Sequence, residues 1–497
     1  MGKTLQSFTR SKTHRISRKS GLVGLGSIAL LYLLLDILLS IPYAIPSANA
    51  GIGNDYGYGP RSASLGGNSV SWNFDGFAGY NNPAGLPLIN RSGTGFASGR
   101  FSFSYGIVYM DPQFDAIQNV VTANIATGGL PTGTNPPQQF GNVDTSYRST
   151  FGQIIGAAWR ADPDWHNLTL GLTIFFPFAQ LAYIDTGETY EPEYFLYRDR
   201  TQQPDVTFAG GMELTDHLRV GVGMHVAYVL SSEADANVAV SAPTTARFET
   251  DIKPKISPYF GLLYSKDDKS SLGLVVRMEN SETSNFTVNT TAQAAGFLPS
   301  IPVNFLANDT IVYDPLSIEL GGSLETSEKT RTYLQLEYQF WSKFQPPYLY
   351  IANPTTNAGI PLQPGPQLNF SYRNIVIPRI GEEISLGRWL SSDTKLRLGY
   401  AYRPGVIDGP PDDSGNFLDP DKQMLNAGMG FVFQRFLGYR KPWNLDFSLD
   451  YQLLVTQTIV KSANDEQGTA GNEKIGAPGY QAGGHVFGGQ IAFTLGL

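Results

Sequence analysis

The sequence predicts an all-β protein, a transmembrane antiparallel β-barrel of about 14 strands with an N-terminal hatch, or plug, inside its lumen. Three observations predict it. Segments of period-two hydrophobicity recur along the chain, the connections between them alternate short and long, and residues 487–497 (FGGQIAFTLGL) form a final strand with one apolar face.

The N-terminal stretch comes first. Lys3, Arg10, Lys12, Arg15, Arg18 and Lys19 form a basic region, residues 21–35 an apolar run, and Ala48-Asn49-Ala50 a small-x-small cleavage site, together a signal peptide over 1–50. The competing reading is an uncleaved helical anchor. Asp36 interrupts the run, and Pro42 and Pro46 break a helix just before the site, which favours cleavage and leaves 447 residues. After residue 50 no window of about 18 apolar residues remains, so any membrane crossing is expected to use strands.

Charge and composition narrow the function classes. Six of the 35 basic residues and one of the 43 acidic ones lie in 1–50, which leaves 29 against 42, a net of −13. That balance argues against nucleic acid as a partner. Zero cysteines removes disulfides, thiolate metal sites and cysteine nucleophiles together. The 54 glycines, 26 tyrosines and 29 phenylalanines suit tight turns, close strand packing and aromatic girdles.

The hatch is assigned to 51–97 and the barrel to 98–497. In the first strand Phe101, Phe103, Tyr105, Ile107 and Tyr109 alternate with Ser102, Ser104 and Gly106. The same period returns at 151–159, 168–178, 206–214, 218–230, 256–264, 272–278, 316–324, 334–344, 375–386, 396–402, 425–433, 445–453 and 487–497. Short turns fall at 161–164, 215–216, 266–269, 327–329, 391–393 and 438–440, and long polar loops at 111–145, 185–204, 345–373, 404–422 and 461–484. Short turns on the periplasmic side and long loops outside are the barrel pattern. Leu445, Phe447, Leu449, Tyr451 and Leu453 are then expected to face lipid, and Asn444, Asp446, Ser448, Asp450 and Gln452 a wet or hydrogen-bonding interior. A soluble β-sandwich is the bland alternative, and it explains neither the leader nor the loop asymmetry. Because 8 strands are filled by their own side chains and about 16 to 18 leave an open channel, a barrel of this size needs something in its lumen.

That something reads GPRSASLGGNSVSWNFDGFAGYNNPAGLPLI over residues 59–89. Gly59, Arg61, Leu65, Gly66 and Gly67, followed by Asn82-Pro83-Ala84-Gly85-Leu86, resemble the hatch of the FadL/TodX family of outer-membrane transporters for hydrophobic compounds. Asp314-Pro315, Leu320-Gly321-Gly322, Trp341-Ser342-Lys343-Phe344 and Leu418-Asp419-Pro420-Asp421-Lys422 resemble later parts of the same family. The resemblance implies a passive carrier of long-chain fatty acids or hydrocarbons in a Gram-negative type of outer membrane, monomeric and without a cofactor. Its implied partners are hydrophobic small molecules, outer-membrane lipid and lipopolysaccharide, and the barrel-insertion machinery.

Candidate site residues fall in the hatch, the wall and one external loop. Pro83 fixes its own φ and restrains Asn82, whose amide can donate and accept, so Asn82, Pro83 and Ala84 are expected to latch the hatch, with an Asx-type turn as the plain alternative. Leu65, Gly66 and Gly67 belong to the same hatch. Pro177, between Phe176 and Phe178, cannot donate to a ladder, and in the family context it is expected to mark a lateral exit through the wall; the alternative is that the strand ends at Phe176. Phe297 and Leu298 stand in an apolar stretch of an external loop and are candidates for first capture. Of the five histidines, His225 is expected to face the lumen. No GxSxG or HExxH element is present, so an enzyme is not expected. A structural or adhesive barrel and a general diffusion porin are the rival classes.

Overall fold

The computed structural model describes residues 53, 56–89, 100–124, 138–162, 164–178, 191–197, 204–239, 245–293, 301–344, 348–351, 371–389, 392–408, 416–434, 442–461, 465–466, 469–473 and 475–496. The signal region 1–50 and the capture residues Phe297 and Leu298 lie outside them.

Fourteen strands form the wall: β1 (Phe101–Phe114), β2 (Thr150–Asp162), β3 (Leu168–Pro177), β4 (Asp205–Glu213), β5 (Leu218–Ala239), β6 (Thr245–Asp267), β7 (Ser270–Arg277), β8 (Ser317–Ser327), β9 (Thr330–Gln339), β10 (Ile375–Trp389), β11 (Ser392–Arg403), β12 (Lys422–Phe433), β13 (Trp443–Val460) and β14 (Gly479–Gly496). Each pairs antiparallel with the next, and β14 returns to β1 from Ser102↔Gly496 to Phe114↔Gly484, so the sheet closes and leaves no edge. Every alternating segment of the sequence became one wall strand. The period of two sorts the faces: Leu449 is 56% exposed while its neighbour Asp450 is 3% exposed. Among the described residues no helix is long and apolar enough to cross a membrane.

Two features differ from the expected loops. Strands β5 and β6 run on to Asn237↔Thr245, and a hairpin of Asn280–Gln293 with Ile301–Asp314 lies parallel to β5 from Ser284↔Leu230 to Gln293↔Ala239. Alternation stops marking a strand once neither face meets lipid, which is why β5 reads from sequence as ending at Leu230. Strand β9 ends at Gln339 instead of Phe344, and Trp341–Lys343 forms a 3-10 turn that buries Trp341.

At Pro177 the two sides of β3 differ. Strand β3 pairs with β2 through Gly152↔Pro177, and Phe178 N donates to Phe151 O at 2.8 Å. On its other side, pairing with β4 ends earlier, at Phe175↔Asp205. Ladder pairing thus runs through Pro177 on the β2 side and stops two residues short of it on the β4 side, where the missing donor has no acceptor to leave unpaired.

The lumen holds residues 56–89, folded as α1 (Pro60–Ser64), α2 (Ala78–Asn81) and a 3-10 helix (Pro83–Leu88). What seats them is an absence of side chains on the wall. On β2 to β8 and on β10 to β12 each strand presents a glycine where an added β-carbon would overlap this segment. Gly211, Gly221 and Gly261 meet Asn82 and Pro83, Gly273 meets Val70, Gly399 meets Gly66 and Gly428 meets Ser64. Glycine here permits close backbone approach, and no L side chain substitutes for it. Gly261→Ala is expected to displace the Asn82-Pro83 turn and raise sugar influx into proteoliposomes severalfold. Gly210→Ala, whose new methyl meets only the Leu170 side chain at 3.5 Å, is expected to leave influx at the wild-type value.

Candidate functional site

The lumenal segment is held by its own turns and by the wall. Pro60 occupies the first turn of α1 after Gly59, and Gly66 and Gly67, with φ of 70° and 80°, end the helix by donating to Ala63 O and Ser62 O. This is the role of the Leu65-Gly66-Gly67 triplet, in which Leu65 packs against Trp72, Phe74 and Tyr333. Asn82 Oδ1 accepts from Ala84 N at 3.0 Å, the Asx-type cap. Its Nδ2 donates to Val70 O at 2.7 Å and to Leu262 O of β6 at 3.3 Å. One side chain thus caps the 3-10 helix and bonds it to the wall.

Arginines supply the other ties. Arg277 donates to Tyr80 O at 2.8 Å and Asn81 O at 3.0 Å while its Nε faces Glu319 at 2.8 Å. Arg379 donates to Gly66 O at 3.1 Å and to Glu337 at 2.6 Å. Glu383 receives Arg61 of the lumenal segment at 3.3 Å, Lys395 at 2.9 Å and Arg397 at 2.8 Å. Apart from Lys395 these side chains are buried, and each is matched by an opposite charge or a carbonyl, as burial demands. Asp75 is less well matched: it accepts Phe77 N at 2.9 Å, and burial pushes its carboxyl up to about 6. His225 does face the lumen, with Nδ1 at 3.5 Å from Asp205 and its ring edge-on to Tyr80.

At the end of the barrel that carries the long connections, the lumen is lined by rings. Phe114 ends β1, Trp341 and Phe344 follow β9, Tyr480 lies in β14, and Tyr372 and Phe417 come from connections; Tyr56, Tyr58, Phe77 and Tyr80 of the lumenal segment join the same apolar cluster from below. The centre of this chamber is taken by residues 191–197, which the sequence reads as part of a polar loop. Tyr194 stacks on Phe114 with centroids 4.1 Å apart, and Phe195 on Phe417 at 5.2 Å. The aromatic density of Tyr190, Tyr194, Phe195 and Tyr197 was the available signal.

Of the expected site residues, Asn82, Pro83, Ala84, Leu65, Gly66 and Gly67 come together in the lumen. Phe176 and Phe178 do not join the chamber: the period of two turns them outward, Phe178 against Phe151 at 4.9 Å, and places Phe175 inside.

No protein-family model matches the chain. It is 27% identical over 126 residues to alkane uptake protein A of Marinobacter nauticus, a match spanning 25% of each chain. Among solved structures, a Pseudomonas aeruginosa FadL homologue superposes with a TM-score of 0.54 at 14% identity, covering 90% of this chain and 98% of that one. The Pseudomonas putida toluene transporter TodX gives 0.50 at 12% identity, covering 89% and 99%. The likeness to both is one of fold.

The Asp75 carboxyl fixes the sign of a pH effect. Its native value is raised from 3.8 to about 6, so its contribution to stability is whole at acid pH and is lost as pH rises through about 6. Asp75→Asn keeps the acceptor for Phe77 N. It is expected to be more stable than wild type at pH 8, by up to about 3 kcal/mol, and equal to it at pH 4. Urea midpoints followed by tryptophan fluorescence in detergent check this.

Proposed function

We propose, from the barrel fold this chain shares with a FadL homologue and with TodX, that it is a passive carrier of hydrophobic molecules across an outer membrane. The observation that carries the reading is a buried aromatic chamber directly over a lumenal segment that is fitted to the wall. Residues 51–97 act in this reading as the hatch. A polar solute finds no continuous aqueous path, because the cleft between hatch and wall, bordered by Arg277, Glu319, Glu337 and Arg379, has a volume of only about 40 Å³. An apolar solute gains by leaving water for the chamber. It then meets that charged border, where an apolar molecule would strip paired charges of their partners. Passage therefore needs the hatch to shift or the wall to part, and no energy source beyond partitioning into lipid.

Long-chain fatty acids and hydrocarbons are the solute class, captured by the external connections. The protein works as a monomer in contact with outer-membrane lipid and lipopolysaccharide, after delivery by the barrel-insertion machinery. A general porin would need an open bore, and a purely adhesive barrel would have no use for a buried chamber.

Cells that depend on this protein for uptake are expected to take up radiolabelled hexadecane or toluene several times faster with it than without it; equal rates would count against the carrier. Asn82→Ala removes the bonds to Val70 O and Leu262 O but spares Pro83. It is expected to raise leakage of a small sugar through the barrel severalfold. Unchanged leakage together with unchanged uptake would show that Asn82 is no latch.

A further inference from the structure

Residues 191–197 deepen the carrier reading, and any role assigned to them rests on it. Glu193, Tyr194, Leu196 and Tyr197 are almost wholly buried, although the segment lies between two wall strands in a stretch rich in charge. Its attachments are hydrogen bonds and ring contacts to distant parts of the chain, among them Tyr197 OH donating to Gln452 Oε1 at 3.4 Å and Lys422 Nζ 5.0 Å from the centre of the Tyr197 ring. Glu193 N donates to Asn416 O at 3.0 Å and Leu418 N to Glu193 O at 2.7 Å, a short parallel bridge; Tyr194 N donates to the Tyr147 hydroxyl at 2.8 Å, and Tyr194 OH donates to Gly483 O at 2.9 Å. Its rings lie in slots. Tyr194 is parallel to Phe114 within 17° and edge-on to Tyr147, while Phe195 is parallel to Phe417 within 15° and also touches Phe344 and Tyr372. Phe114 and Phe344 adjoin wall strands, whereas Tyr194 and Phe195 belong to none.

Each of these two rings stacks face to face on another. A cavity of about 320 Å³ lies against Phe417 and Leu418 and is bordered also by Arg373, Ile407, Val455 and Thr456. It is open at one side, and Phe417 is the ring on which half-buried Phe195 rests. A solute that reaches this cavity meets the Phe195–Phe417 stack next.

We propose that residues 191–197 are a resident occupant of the solute site, and that the slots now holding Phe195 and Tyr194 are the positions taken by a planar apolar ring when it is carried. Exchange of ring for ring keeps the buried area and the parallel stacking nearly constant, so the swap is close to balanced. A linear chain matches the area without the flat face. The site's apparent affinity is lowered by the fraction of molecules in which the segment fills it. Removing one ring leaves an apolar hole of the kind that stays dry and accepts a benzene-sized guest.

The test uses the whole purified protein in detergent, with toluene and n-hexane as probes followed by calorimetry. Phe195→Ala is expected to bind toluene about tenfold more tightly than wild type, with a smaller gain for hexane, because the competitor is gone. Phe195→Leu, which fills the slot without a flat face, falls between. The chain has no cysteine, so a Glu193→Cys, Phe417→Cys pair across the bridge can be compared oxidised and reduced in one sample. Oxidation is expected to cut toluene binding at least about tenfold below that of the same pair reduced, which lacks the Phe417 face and itself binds less tightly than wild type. Equal gains for toluene and hexane in Phe195→Ala, or weaker toluene binding there, would overturn the ring slot. A cysteine pair that binds toluene equally in both redox states would overturn the resident occupant. Should wild type bind neither probe, the carrier reading falls as well; if it binds them and these patterns are absent, only the resident occupant and its ring slots fall.

Discussion

On ten strands of the wall a β-carbon has no room at one point where the lumenal segment meets the inner face, and the seat of that segment depends on that steric fact. Glycines on ten strands let the lumenal segment come within a distance of the wall that a β-carbon would not allow. The Asn82-Pro83 turn could not sit against β4, β5 and β6 if Gly211, Gly221 and Gly261 carried side chains. Fit of this kind excludes water because interiors packed to crystal density leave no continuous gap.

Close approach alone would leave hatch carbonyls buried without donors, and an orphaned carbonyl in a dry lumen is costly. Wall side chains answer that need from several directions. Arg277 and Arg379 reach the hatch backbone and keep a carboxylate on their other edge, and Tyr259 donates to Gly79 O at 2.6 Å while Ser271 donates to Ser71 O at 2.6 Å. The seal is thus steric at the glycines and polar between them. Above it the chemistry changes to rings.

The wall was legible in the sequence because each crossing strand has one face toward lipid and one toward polar partners, and a period of two records that contrast. All fourteen strands could be placed in this way. The extension of β5 and β6 was not, because beyond lipid the contrast vanishes and Ser231, Glu233 and Asp235 look like loop. Asn82 could be singled out because its chemistry is local, but its partner Leu262 stands 180 residues away and nothing nearby names it. Residues 191–197 were hidden for a related reason. Their charged neighbours set the average of the stretch, and the rings they stack on come from Phe114 and Phe417, which only barrel closure brings near. Pro177 could be singled out because it lacks a donor, but which neighbour stays paired beside it, β2 and not β4, depends on registers that the local sequence does not carry.

If the lumenal segment acts as the proposed hatch, its fit to the wall closes the lumen to ions. Single-protein current across a planar bilayer in molar salt reads that closure without any need to know the solute. Wild-type protein is predicted to show no steady ionic conductance once inserted. A stable open-pore current from the unmodified protein would contradict the account.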